Sequence, residues 1–162
     1  MEIYRNDEIE VKTALNDMIA SFFDGNIYGT ETEEGFVEPC VFTNIRLNSE
    51  SVSDGISSRL RYRIYITYFQ RDDEYSEEGV YDFFHALRIA LLRNDPQRRH
   101  YVFKFGSTFA EAKEIELNWI GAESKIPEFS FAIEYNSNTC MIDDDLNYDI
   151  MQNIEFENKE EE

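Results

Sequence analysis

The chain has 162 residues, 34 of them Asp or Glu against 15 Lys or Arg, for a formal charge of −19 at neutral pH. That length suits one domain, and 42% hydrophobic with 15% aromatic residues supplies a core, which excludes wholesale disorder. So acidic a chain lacks the basic surface that displaces counterions from nucleic acid, no apolar run reaches the roughly 20 residues of a membrane span, and the charged start Met1-Glu2-Ile3-Tyr4-Arg5-Asn6-Asp7 is not a secretory signal. A soluble, intracellular protein is expected.

Val11, Leu15, Met18, Ile19 and Phe22 recur with the 3.6-residue period of an amphipathic helix. Asp7 can cap it, with Glu10 as capping-box partner, and Asp24-Gly25-Asn26 stops it, Gly25 being free to turn left-handed. Ile27-Tyr28 reads as a short extended piece before an acidic link over 29–38. Pro39 then opens a strand, with Val41, Thr43, Ile45 and Leu47 on one face and Cys40, Phe42, Asn44 and Arg46 on the other. Residues 48–58, rich in Ser, Asn and Asp, predict a loop longer than hairpins commonly use.

The clearest strand covers 59–70, where Leu60, Tyr62, Ile64, Ile66 and Tyr68 alternate with Arg59, Arg61, Arg63, Tyr65, Thr67 and Phe69. A turn at 71–74 leads to a second helix, capped by Ser76, with Val80, Phe83, Phe84, Leu87 and Leu91 as its buried stripe and Asn94-Asp95-Pro96 as its end. Further strands are expected over 101–105, 114–120 and 129–135, the last two joined by a hairpin connection at 121–127, and the last carrying a half-buried pattern. From Asn136 the character changes: nine acids face one base, Lys159, so these 27 residues carry −8 and leave −11 for the body. Met141, Ile142, Ile150, Met151, Ile154 and Phe156 punctuate the acids, which suggests an arm that docks on the same or a neighbouring subunit. The reading is an α+β body over 1–135: an N-terminal helix, a mostly antiparallel sheet of four to five strands, and a second helix packed on one face. An acidic arm over 136–162 follows it.

Chemistry-bearing motifs are sparse. No phosphate-binding glycine loop, nucleophile elbow or H-E-x-x-H zinc motif occurs. Cys40 and Cys140 lie far apart with no ligand spacing and read as reduced, mostly buried thiols, although their separation in sequence leaves a disulfide open. His85 sits beside the stripe of the second helix and reads as a hydrogen-bonded structural residue, while His100 falls in a solvated cluster, Arg98-Arg99-His100. Asp143-Asp144-Asp145 lacks the glycine of a calcium loop and reads as solvated acid. Neither a catalytic residue, a cofactor nor a metal is assigned. Arg59, Arg61 and Arg63 share one strand face at two-residue spacing. They suit an ion-paired interface with Asp143, Asp144 and Asp145 of a neighbouring copy, or ordinary cross-strand pairs.

Several segments, in order, resemble the small tail terminator proteins of tailed phages, prophages and phage-tail-like particles. They are Tyr28-Gly29-Thr30-Glu31, Gly35-Phe36-Val37-Glu38-Pro39-Cys40-Val41-Phe42, Arg61-Tyr62 leading to Ile66-Thr67-Tyr68-Phe69, the late aromatic strand over 129–136, and Met151-Gln152-Asn153-Ile154. Gln70 departs from the family pattern, which places a proline after Tyr68-Phe69. The resemblance implies a non-enzymatic hexameric ring on the completed tail tube. It implies tube and neck (connector) proteins as partners, DNA passing through the lumen without specific binding, no membrane, assembly in the host cytoplasm and a final place at the tail–neck junction. Gly35, Phe36, Pro39, Cys40, Tyr68 and Phe69 would then be backbone and packing positions. Another neck component, an acidic mimic of DNA, and a small hydrolase or ligand-binding domain remain the competing readings.

Overall fold

Residues 7–29, 34–52 and 57–137 are described by the computed structural model. The first apolar stripe forms helix α1, Asp7–Ala20, which buries Val11, Leu15 and Ile19 completely. The second forms α2, Glu77–Arg93, burying Val80, Phe83, Leu87 and Leu91. Ser76 caps α2 as its sequence anticipates, its Oγ accepting the Gly79 N–H at 3.0 Å, and Asn94 closes the C-terminal end.

Six strands form one sheet: β1 Asn26–Gly29, β2 Cys40–Val52, β3 Ser58–Phe69, β4 Val102–Phe105, β5 Thr108–Ile120 and β6 Ile126–Ser137. Their spatial order is β1-β2-β3-β6-β5-β4. The expectation of four to five strands is therefore corrected. Ile27-Tyr28 does become a strand, and it lies parallel to β2, so the sheet is mixed while every other pairing is antiparallel. The loop expected at 48–58 is also corrected. β2 runs on to Val52 and β3 starts at Ser58, with Val52 facing Ser58 in register and a bulge between Leu47 and Ser49 taking up the misfit. Polar side chains over 48–52 are compatible with a strand because all five residues face solvent.

Both helices cover the same face of the sheet. Leu60, Tyr62, Ile64 and Ile66 of β3 stand beside Tyr135, Ile133, Phe131 and Phe129 of β6, and these side chains meet α1 and α2 in a single core. Phe83 is its aromatic hub, with ring centroids 4.4 Å from Tyr68, 5.2 Å from Phe129, 5.4 Å from Phe22 and 5.5 Å from Phe23. Burying several such rings contributes more than any polar contact, at roughly 1.5–3 kcal/mol each. At the other end of the core, α1 turns its acidic first turn onto the sheet. Asp7 Oδ2 accepts from the hydroxyls of Tyr135 (3.0 Å) and Ser137 (2.7 Å), and Glu8 accepts from Tyr62 (2.6 Å). Burial, reinforced by these carboxylates, pushes both tyrosine hydroxyls well above their ordinary range, so they stay protonated donors.

Three local expectations are overturned. β6 is not half-buried: Ser130 and Ala132, on the face away from the helices, are buried as fully as Phe129 and Phe131, because β3 and β5 flank the strand and side chains fold over it. His85 is exposed rather than tucked beside the helix stripe. Gly25 does not adopt the left-handed conformation; a Cβ there would collide with the Phe23 ring and the Pro39 carbonyl, so close approach is what requires glycine.

Candidate interaction surface

The sheet face opposite the helices carries no described element and divides into two regions. Its centre is an arginine–carboxylate lattice. Arg61 Nη2 lies 2.8 Å from each Glu114 carboxylate oxygen, and Arg63 reaches Glu114 and Glu116 at 2.9 Å each while donating to Ser130 Oγ at 2.8 Å. Arg59 pairs with Glu134, and Arg61 also lies 3.8 Å from it. The three arginines of β3 thus answer to carboxylates of β5 and β6, the cross-strand alternative.

A bulge in β5 makes the lattice possible. Between Lys113 and Glu116 the register gains a residue, so that these two face Ala132 and Ser130 and both project from the open face. Glu114, with φ of +53°, sits inside the bulge, and its carboxylate lies between Arg61 and Arg63. The Arg61 hydrogen bond, then the charges of Arg61 and Arg63, hold the Glu114 carboxyl below its ordinary range. Reciprocally, Glu114 raises the Arg61 guanidinium. Arg63 is the buried member, its side chain only 11% exposed against 62% for Arg59. It covers Ser130 and Ala132 as much as it carries charge.

The second region is aromatic. Gly35, with φ of +78°, is one of the turns that need glycine. Beyond it the Phe36 ring packs 5.4 Å from Phe42 and 5.3 Å from Phe69, and Tyr28 lies 5.4 Å from Phe42. Glu38-Pro39 is cis and delivers the chain to Cys40, which is buried opposite Phe69. Burial, then the charge of Glu38, pushes the Cys40 thiol up to about 11. Phe36 and Val37 remain exposed beside this cluster. Gly35, Phe36, Pro39, Cys40, Tyr68 and Phe69 therefore converge on one end of the sheet, with Tyr68 turned inward to Phe83 and Phe69 outward.

Gln70, where the resemblance led to a proline being expected, is tied to Ser76. Its Oε1 accepts the Ser76 N–H at 2.8 Å and its Nε2 donates to the Ser76 carbonyl at 3.2 Å, so the side chain mimics a peptide and ties the end of β3 to the start of α2.

A family model described as phage tail terminator protein matches residues 10–145, most of the chain and nearly all of the described sheet and helices. The chain belongs to that family. It is accordingly a phage tail terminator protein, associated with phage tails. No curated protein matches it. Among the described residues no three His, Cys, Asp or Glu side chains gather as metal ligands, and no helix is long and apolar enough to cross a membrane. Asp143, Asp144, Asp145 and Cys140 lie outside the described residues. What the sequence did not reveal was the identity of the arginines' partners; Glu114, Glu116 and Glu134 alternate on strand segments, but only the bulge and the strand order bring them to Arg61 and Arg63.

Proposed function

We propose that this terminator closes as a hexameric ring on the head-proximal end of the tail tube, stops its growth and presents a surface to the neck. The observation that carries the reading is the family match over 10–145, which takes in every strand, all of α2 and all but the first three residues of α1. An uncovered sheet face with an ordered charge lattice and an exposed aromatic margin supports a role in packing against other subunits, since arginine and aromatic residues are enriched where proteins meet. A ring is built from heterologous contacts, so two different faces of each copy must complement each other. One candidate pair remains Arg59, Arg61 and Arg63 against Asp143, Asp144 and Asp145. Of the three arginines, the exposed Arg59 is the one best able to exchange its partner, because Arg63 is committed to Glu114, Glu116 and Ser130.

Six copies would carry six times −19, or −114, which favours a conduit that DNA traverses without adhering. No chemical step is assigned to the protein; it works in host cytoplasm during assembly and then at the tail–neck junction. Imaging of intact particles tests the proposal. Sixfold density for this chain should cap the tube at the end nearer the head, and particles assembled without it should carry tubes of abnormal length. Density elsewhere in the neck would favour the reading of another connector component, and tubes of normal length without the protein would remove its terminating role.

A further inference from the structure

Among the described residues, most of the bases that make no ion pair fall in one stretch of the chain, with Lys12, Arg46 and Arg71 lying elsewhere. Residues 88–104 hold five Lys or Arg against a single Asp. Arg93 ends α2, Arg98 and Arg99 stand on the exposed link that follows, and Lys104 projects from the outer strand β4. No ion pair joins Arg93, Arg98, Arg99 or Lys104 to another described residue, whereas Arg59, Arg61, Arg63, Lys113 and Lys125 are all paired.

The link is built firmly. Asp95 accepts the backbone N–H groups of Gln97 at 3.0 Å and of Arg99 and His100 at 2.9 Å each. These bonds fix the link and hold the Asp95 carboxyl below its ordinary range, and the chain passes through Arg98 at φ of +52°. Further along the chain, on β4, Lys104 lies 5.3 Å from the ring of Phe109, which is 59% exposed. The corner thus offers cation and aromatic surface together.

We infer that this corner, resting on the hexameric reading above, receives the acidic segment 138–162 of the neighbouring copy in place of the strand arginines, which are already paired within the chain. The segment matches in both respects, with nine acids to one base and Met141, Ile142, Ile150, Met151, Ile154 and Phe156 interspersed. The apolar half of that match sets it apart from a DNA phosphate chain, to which Phe109 would offer nothing. It also answers a physical problem. Copies carrying −19 repel one another, and a contact that pairs the unspent cations of one with the densest acids of the next reverses the local sign.

Carbodiimide coupling on the full chain tests this, in rings on purified tails assembled from equal amounts of isotopically heavy and light copies. Heavy–light peptides joining Lys104 to acids within 143–162 are expected, several-fold fewer in 0.5 M than in 0.05 M salt, as follows from the shorter screening length, about 4 against 14 Å. Arg98→Glu with Arg99→Glu should lower the yield of these peptides at least fivefold without moving the melting temperature. Adding Asp143→Lys with Asp144→Lys should restore it. Links confined to one isotope, an absence of links, or links only to other tail proteins would overturn the assignment, as would duplex DNA retention that the Arg98/Arg99 double variant abolishes. Ring mass and position, read on the same samples, report separately on the hexameric reading: intact, correctly placed rings without the links refute this inference alone.

Discussion

Arg63 and Arg59 stand four residues apart on β3, yet they differ in what removing them would do. Arg63→Ala uncovers Ser130 and Ala132 and leaves Glu116 without its cation, so a loss of about 1–3 kcal/mol is expected in urea unfolding. Arg59→Ala removes an exposed pair and should stay within about 0.5 kcal/mol. The lattice also has a pH signature. Glu114 is depressed in the folded chain, so its contribution is present above the ordinary carboxylate value of 4.5 and is lost as pH falls through the lower folded value. Urea midpoints measured between pH 6 and 3 should therefore fall more steeply for the native chain than for Glu114→Gln, by a modest margin because the carboxylate is exposed. Cys40 behaves oppositely. Its thiol is raised in the folded chain, so stability should decline as pH climbs from the ordinary 9.0 toward about 11, where the unfolded thiol ionises and the buried one does not. At pH 8 it should react with maleimide only as fast as the protein opens.

At the scale of elements, the N-terminus of α2 depends on two side chains close in sequence, Ser76 as cap and Gln70 as peptide mimic. Ser76→Ala should cost about 1 kcal/mol. Gln70→Ala should cost a similar amount, read as a lower melting temperature and faster hydrogen exchange at Ser76 and Gly79, because the Ser76 N–H and carbonyl lose their partner together. The cap was legible in the sequence because its partner lies three residues away. Residues 48–58 misled for a physical reason: Ser, Asn and Asp disfavour buried strands, but β2 over 48–52 is exposed, and pairing with β3 is enough to hold it extended.

Across the whole molecule, the apolar layer between sheet and helices and the open sheet face are separate. Phe131 lies fully buried where β6 meets the helices, and Phe131→Ala should cost about 3–5 kcal/mol and compromise folding before it affects any contact between copies. Surface reversals such as Arg98→Glu should leave the melting temperature in place and change assembly alone.

Periodicities of 3.6 and 2, caps and turn residues are properties of neighbours along the chain, so both helices and the long arginine-bearing strand could be read in one dimension. So could the strong acidity and the family itself. Pairings that join residues far apart could not: Arg61 meets Glu114 across 53 positions and Asp7 meets Tyr135 across 128. Those depend on strand order and on a single extra residue in β5, and a pattern of alternating side chains is the same whichever strand lies beside it. Only folding decided that the strand arginines are engaged within the chain while those near Arg98 are left to face outward.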